Sequence, residues 1–183
     1  MLHNGKADDR REKRLVVKSL NAFAGPVQSS AFQDLQLLAN GDERIVFITE
    51  HLSDLGLGKL ARRANCYVAL HRGEGYGINA IESMALGIPV IATNYSATVD
   101  FFSAVSSQWN ICHFPIPYER IIITDAVVSS PYKNGSMMPE PNHDAAVRAM
   151  QKVIANDCSP LHEPTEKALW SHFSRPAVAN QAS

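Results

Sequence analysis

The chain has little of what usually declares a function early: three cysteines, two tryptophans, a formal net charge of -1 and no apolar run long enough to span a membrane. Cys66, Cys112 and Cys158 are widely spaced and form no Cys-x-x-Cys pair, so neither a disulfide framework nor a zinc site is expected. The seven histidines show no ligand spacing within a candidate helix, so no metal is expected. Near-neutral charge provides no broad field to attract nucleic acid or an anionic membrane. The first residues, Met1-Leu2-His3-Asn4-Gly5, do not begin a secretory signal, so a cytoplasmic address is the expectation. Internal repeats and low-complexity tracts are absent as well.

What is present is ordinary globular sequence, 45% apolar and 19% charged over 183 residues, enough for one domain with tails. Residues 6–18 mix charges of both signs, and residues 1–13 read as a solvated arm. The domain is expected over residues 14–175, with a frayed tail over 176–183.

Leu15-Val16-Val17 reads as a short buried strand. Beyond the Gly25-Pro26 breaker, Phe32, Leu35, Leu37 and Leu38 suggest a helix with Ser29 and Ser30 as caps. Residues 44–49 repeat the strand signal, and Ser53-Asp54 opens a helix carrying Leu55, Leu57, Leu60 and Ala61 on one stripe. Residues 66–70 form a third strand, 78–86 a helix stopped by Gly87 ahead of Pro89, and 90–93 a fourth strand. Further on, the reading predicts a short strand within 109–114, a turn-rich stretch over 129–141 and helices over 144–155 and 165–173. This alternation predicts an α/β fold, a Rossmann-like, doubly wound parallel sheet.

The informative stretch is His71-Arg72-Gly73-Glu74-Gly75-Tyr76-Gly77-Ile78-Asn79-Ala80-Ile81-Glu82, a loop leaving a strand and entering a helix. In doubly wound folds ligands bind beyond the carboxyl ends of the strands, where this loop would lie. Its glycines let the backbone approach a ligand, and the helix turns its positive end toward a diphosphate. Glu74 precedes the helix and Glu82 sits inside it, so the two carboxylates can address different parts of one extended ligand. An ionised carboxylate accepts two hydroxyl hydrogen bonds, which suits adjacent hydroxyls on a ribose or hexose.

A loop Glu, Gly-aromatic-Gly and a helical Glu, followed by Met84-Ala85-Leu86-Gly87-Ile88-Pro89-Val90-Ile91-Ala92-Thr93, resembles the signature of the glycosyltransferase group 1 superfamily. Residues 70–77 resemble the His-Arg-x-Glu-Gly-aromatic-Gly loop of one subfamily, and residues 95–101 its Ser-Gly-x-x-Asp-Phe stretch. Pro131-Tyr132, Glu140-Pro141 and residues 144–153 resemble later landmarks. The resemblance implies a single C-terminal half of a GT-B fold, the half that binds a UDP- or GDP-sugar for retaining transfer. It implies no cofactor beyond that donor, and a partner chain supplying the acceptor-binding domain. It gives Glu74 the catalytic contact with the donor sugar and Glu82 the ribose hydroxyls. His71, Gly75, Tyr76, Gly77 and Ile78 would line the donor, Tyr76 through its backbone while its ring packs.

The pattern departs from the family in places: Ala97 stands where relatives have glycine, Met137-Met138 where they have tryptophan, and no strand bearing the diphosphate Arg and Lys precedes Leu15. Other readings stay open. Glu74 could be a helix-entry carboxylate and Glu82 a solvated helical residue, and the chain a binding module without transfer chemistry. Gly75-x-Gly77-x-x-Ala80 also resembles a dinucleotide fingerprint, but Thr93-Asn94 occupies the place of the acidic ribose ligand.

Overall fold

The computed structural model describes residues 13–19, 26–108, 112–124 and 133–155. The expected helix over 165–173, the N-terminal arm up to residue 12 and the C-terminal tail lie outside the described residues. The chain divides into two compact units, residues 1–53 and 54–183.

The first unit is a strand-helix-strand crossover: β1 (Leu15–Lys18), α1 (Pro26–Ala39) and β2 (Ile45–Ile48). β1 and β2 pair in parallel, Leu15 against Ile45 through Lys18 against Ile48. Phe32 is buried, with its ring edge-on to Phe47 at 5.3 Å. The expectation of a buried first strand is corrected, since Leu15 and Val16 are exposed and β2 is the only strand paired with β1 among the described residues. Ser29 and Ser30 lie within α1 rather than capping it, because the helix starts at Pro26, whose fixed φ and missing N–H suit a first helical position. Ahead of β2, the Asp42 carboxylate accepts from the Arg44 backbone N–H at 2.9 Å and pairs with its guanidinium at 2.6 Å, which lowers the Asp42 pKa to about 2.

The second unit holds α2 (Asp54–Arg63), β3 (Tyr67–Ala69), α3 (Ile78–Ala85), β4 (Val90–Thr93), α4 (Ala97–Gln108), β5 (His113–Ile116), β6 (Tyr118–Ile122), β7 (Met137–Pro141) and α5 (His143–Ile154). The Leu55 and Leu57 stripe of α2 stays exposed, and no residue of that helix is buried. Strands β3, β4 and β5 form a parallel sheet in sequence order.

β4 lies at the centre, and its residues have 0% exposure. Successive strand side chains point to opposite faces, and the packing follows that alternation. Val90 and Ala92 join Ala80, Ile81, Met84 and Ala85 of α3 and Phe101 and Phe102 of α4. Ile91 meets Ala146 and Ala149 of α5, together with Ile116. Helices therefore cover both faces, as a doubly wound sheet requires.

Helix ends follow local chemistry. Past α3, Gly87 adopts φ 75° while its N–H reaches the Met84 carbonyl and the Ile88 N–H reaches Ser83, a Schellman closure that satisfies the last carbonyls. At α5 the Asn142 side chain accepts from Ala145 N–H at 2.8 Å.

Two differences from the sequence reading concern the C-terminal part. Residues 137–141, read as turn-rich, form β7, which pairs antiparallel with β6. Ile123 N–H to Ser136 O and Asn142 N–H to Pro117 O bracket that ladder. The alternation of the ladder bonds then places Pro139 and Pro141 at positions that donate none. Cys112 is disulfide-bonded, where the sequence reading expected no disulfide framework from three widely spaced cysteines without a Cys-x-x-Cys pair.

Replacing Ile91 by alanine should remove contacts to both α5 and β5 and lower unfolding free energy by about 2–5 kcal/mol, read from the urea midpoint of the second unit. Burial pushes the Cys66 thiol up to about 11, against a backbone hydrogen bond at Ile91 that acts the other way. The folded state thus favours the neutral thiol, a contribution complete below the unfolded pKa and lost as pH rises through the folded value. Alkylation of Cys66 by iodoacetamide should therefore be slow at pH 8 and accelerate only as pH approaches about 11.

Candidate functional site

The loop of residues 71–77 leaves the carboxyl end of β3 and turns into α3 at Gly77. Gly77 has φ 73° and ψ 36°, left-handed values that cost an L-residue about 1–2 kcal/mol. A Cβ at this position would also lie 3.1 Å from Cε1 of Phe101. Glycine is required twice over, once for the turn and once for close packing against α4.

No side chain caps α3 through Gly77. The helix instead closes its first turn with Ala80 N–H and Ile81 N–H on the Gly77 carbonyl. The glycine loop and the positive end of α3 thus meet at one point, the arrangement that favours an anion.

Both expected carboxylates are exposed. Glu74 Oε1 accepts from Gly77 N–H at 3.2 Å, so this carboxylate does make a helix-entry contact. Its Oε2 accepts no hydrogen bond among the described residues. Glu82 lies one turn into α3 and has no side-chain partner among the described residues. Ile78 and Glu82 are four apart and both exposed, with Ile78 at 58%, so the helix sets them on one face beside the loop. Tyr76 was expected to pack its ring, and it is instead half-exposed, with Gly75 next to it open to solvent.

The loop backbone is tied from several sides. His71 lies between two carbonyls, Nδ1 3.2 Å from Ala69 O and Nε2 3.3 Å from Tyr95 O. A neutral imidazole can donate to one of them, an imidazolium to both. Ser96 Oγ donates to the Glu74 carbonyl at 2.9 Å, from a residue itself held at φ 62°. Thr98, buried at the start of α4, bonds through Oγ1 to the Thr93 and Tyr95 carbonyls and accepts from Tyr95 N–H. Arg72 does not pair with Glu74; its guanidinium meets Glu140 of β7 at 2.5 Å. Asp100 lies in the first turn of α4.

Three residues of this surround carried no functional signal in the sequence. Tyr67 begins β3, and its hydroxyl pKa is raised by burial and further by the Glu74 charge, against an opposing hydrogen bond with Asn79. Ser96 and Glu140 act through partners remote in sequence, and both entered the reading only within family landmarks. Separately, Tyr95, Arg120, Met137, Met138 and Pro139 line a small hollow of about 120 Å³. Glu74, Gly75, Tyr76, Ile78 and Glu82 are exposed, whereas His71 is half-buried and Gly77 buried. Among the described residues no three of His, Cys, Asp and Glu converge as metal ligands would, and no helix is long and apolar enough to cross a membrane.

A parallel α/β layer covered on both faces, with a glycine loop leading from strand to helix, is the architecture of a Rossmann-like half of a GT-B fold. The chain belongs to the group 1 glycosyltransferases: the family described as "Glycosyl transferases group 1" matches residues 11–107, more than half of its length. It is similar to the phosphatidyl-myo-inositol mannosyltransferase of Mycobacterium leprae (strain TN), 32% identical over 143 residues, covering 70% of this chain and 36% of that protein. It is also similar to the lipopolysaccharide core biosynthesis mannosyltransferase LpsB of Rhizobium meliloti (strain 1021), 33% identical over 66 residues, covering 36% of this chain and 18% of that protein. The aligned part of the chain thus spans 36% of the length of the first of these relatives and 18% of the second.

Gly77→Ala should combine backbone strain with crowding against Phe101 and cost about 2 kcal/mol or more, measured as a lower midpoint in urea unfolding. A variant as stable as the wild type would show that the turn and the Phe101 contact are not required together.

Proposed function

We propose that this chain binds a nucleotide sugar, UDP- or GDP-linked, as the donor for retaining glycosyl transfer, and that a separate acceptor-binding domain completes the active site. The observation that carries this reading is the junction at Gly77. There a glycine loop, an α3 N-terminus without a side-chain cap and the exposed carboxylates of Glu74 and Glu82 follow one another along one surface.

In this reading the diphosphate rests against the loop backbone and the positive end of α3. Glu82 accepts from the ribose hydroxyls, one turn along the helix. Glu74 keeps Oε1 on the Gly77 N–H and turns Oε2 toward the donor sugar, where a carboxylate stabilises the positive charge that develops as the glycosidic bond breaks. The departing diphosphate gains negative charge at the same moment, and in this reading the positive end of α3 stabilises it. His71, Gly75, Tyr76, Gly77 and Ile78 shape the floor and wall of the same subsite. The relatives named above are mannosyltransferases, which makes a mannosyl donor the first one to examine. No metal enters this scheme, and the cytoplasm is the proposed setting.

Titration calorimetry with GDP-mannose and UDP-glucose provides the test. One of the two should bind saturably, and Glu82→Ala should weaken it by about 10–100-fold, the loss of about 1.5–3 kcal/mol of charge-assisted hydrogen bonding. Glu74→Ala should weaken it too. Absence of binding to either compound at millimolar concentration, with the protein folded, would remove the proposal.

A further inference from the structure

Arg72 of the glycine loop, Glu140 of β7 and His143 of α5 come together in the second unit. Oε2 of Glu140 is shut off from solvent and accepts no hydrogen bond among the described residues, while the Arg72 guanidinium approaches it at 2.5 Å. The contact is therefore an ion pair, and Arg72 is the cation that balances this oxygen. Oε1 of the same carboxylate is 3.7 Å from Nε2 of His143, on the first residue of α5.

The base of Glu140 is firm. It belongs to β7, pairs in register with Glu119 of β6 and stands between two buried prolines, Pro139 and Pro141. Arg72, by contrast, lies in the loop, between His71 and the glycines. A side chain rooted in a strand thus holds the middle of an otherwise exposed segment. From the other side, Ser96 and the Tyr95 carbonyl hold Glu74 and His71.

We infer that Glu140 is a positioning residue for the glycine loop, acting through Arg72. By engaging the guanidinium it keeps Arg72 off the Glu74 carboxylate, two residues along the same loop, and fixes the approach of residues 73–77 to α3. Glu74 and the peptide N–H groups are then presented in one arrangement before any ligand arrives, so that ordering is not charged against binding. The proposal rests on the donor-site reading of this loop for its effect on affinity, but not for its effect on the loop itself.

The test uses the full chain with two variants, Glu140→Gln and the double variant Arg72→Ala/Glu140→Ala. The readouts are melting temperature, 15N order parameters of the Gly75, Tyr76 and Gly77 amides, and affinity for GDP-mannose. Glu140→Gln leaves the Arg72 charge without its counter-ion and should lower the melting temperature. The double variant removes both charges and should restore much of it, since a pair removed whole costs far less than a pair broken. Positioning predicts that the loop does not recover with stability: the order parameters should fall from about 0.85 toward 0.6 in both variants. Affinity for GDP-mannose should stay about tenfold weaker in both. A double variant with wild-type melting, wild-type loop order and wild-type affinity would overturn the inference, leaving a purely structural ion pair. Should Glu140→Gln fail to fold, the double variant decides alone. Should the wild type not bind GDP-mannose, the donor-site reading loses its support while the order parameters still decide the role of Glu140.

Discussion

The second unit depends on the burial of β4. Four consecutive residues without exposure are possible only when both faces of a strand are covered, and the covering differs on each side. Val90 and Ala92 require α3 and α4, and Ile91 requires α5. That demand places α3 over β3 and β4 and brings the β4–α4 turn beside the loop that follows β3. The site stands where these two connections meet, which is why Tyr95 and Ser96 can brace His71 and Glu74.

The site divides its labour between backbone and carboxylates. Nearly every hydrogen bond in residues 71–77 restrains the chain itself: the ring of His71, the carbonyl of Glu74, the N–H of Gly77. Among the described residues, what remains unengaged is Oε2 of Glu74 and the carboxylate of Glu82, together with the exposed surfaces of Tyr76 and Ile78. Groups that would meet a ligand are therefore those the protein does not use on itself. Holding a loop while sparing its polar ends is the condition for binding without reorganisation.

Much of this was legible in the residues. Strands β1 to β4 announced themselves as short β-branched runs, and α3 was bounded by glycine signals at both ends. The loop's location followed from strand-to-helix order alone. What escaped has physical reasons. β7 contains Pro139 and Pro141, which mark turns when the partner strand is unknown and are harmless in a strand when they fall between ladder bonds. Ser29 and Ser30 are good caps in isolation, but Pro26 starts the helix earlier. Burial also could not be read from apolarity: Leu15, Leu37 and Leu55 are as hydrophobic as core residues, yet lie exposed. The partner of Arg72 was beyond reach, because an ion pair between residues 72 and 140 leaves no periodic trace. The roles of Glu74 and Glu82 rest on resemblance and on their exposure, and neither carboxylate's ligand is written in its spacing.

The two-sided covering of β4 bears on how a recognisable stretch relates to a self-sufficient body. The family match ends at residue 107, at the close of α4, whereas the layer that shields Ile91 is supplied by β5 and α5 further along. The stretch that the family matches consequently ends before the elements that keep its own central strand dry.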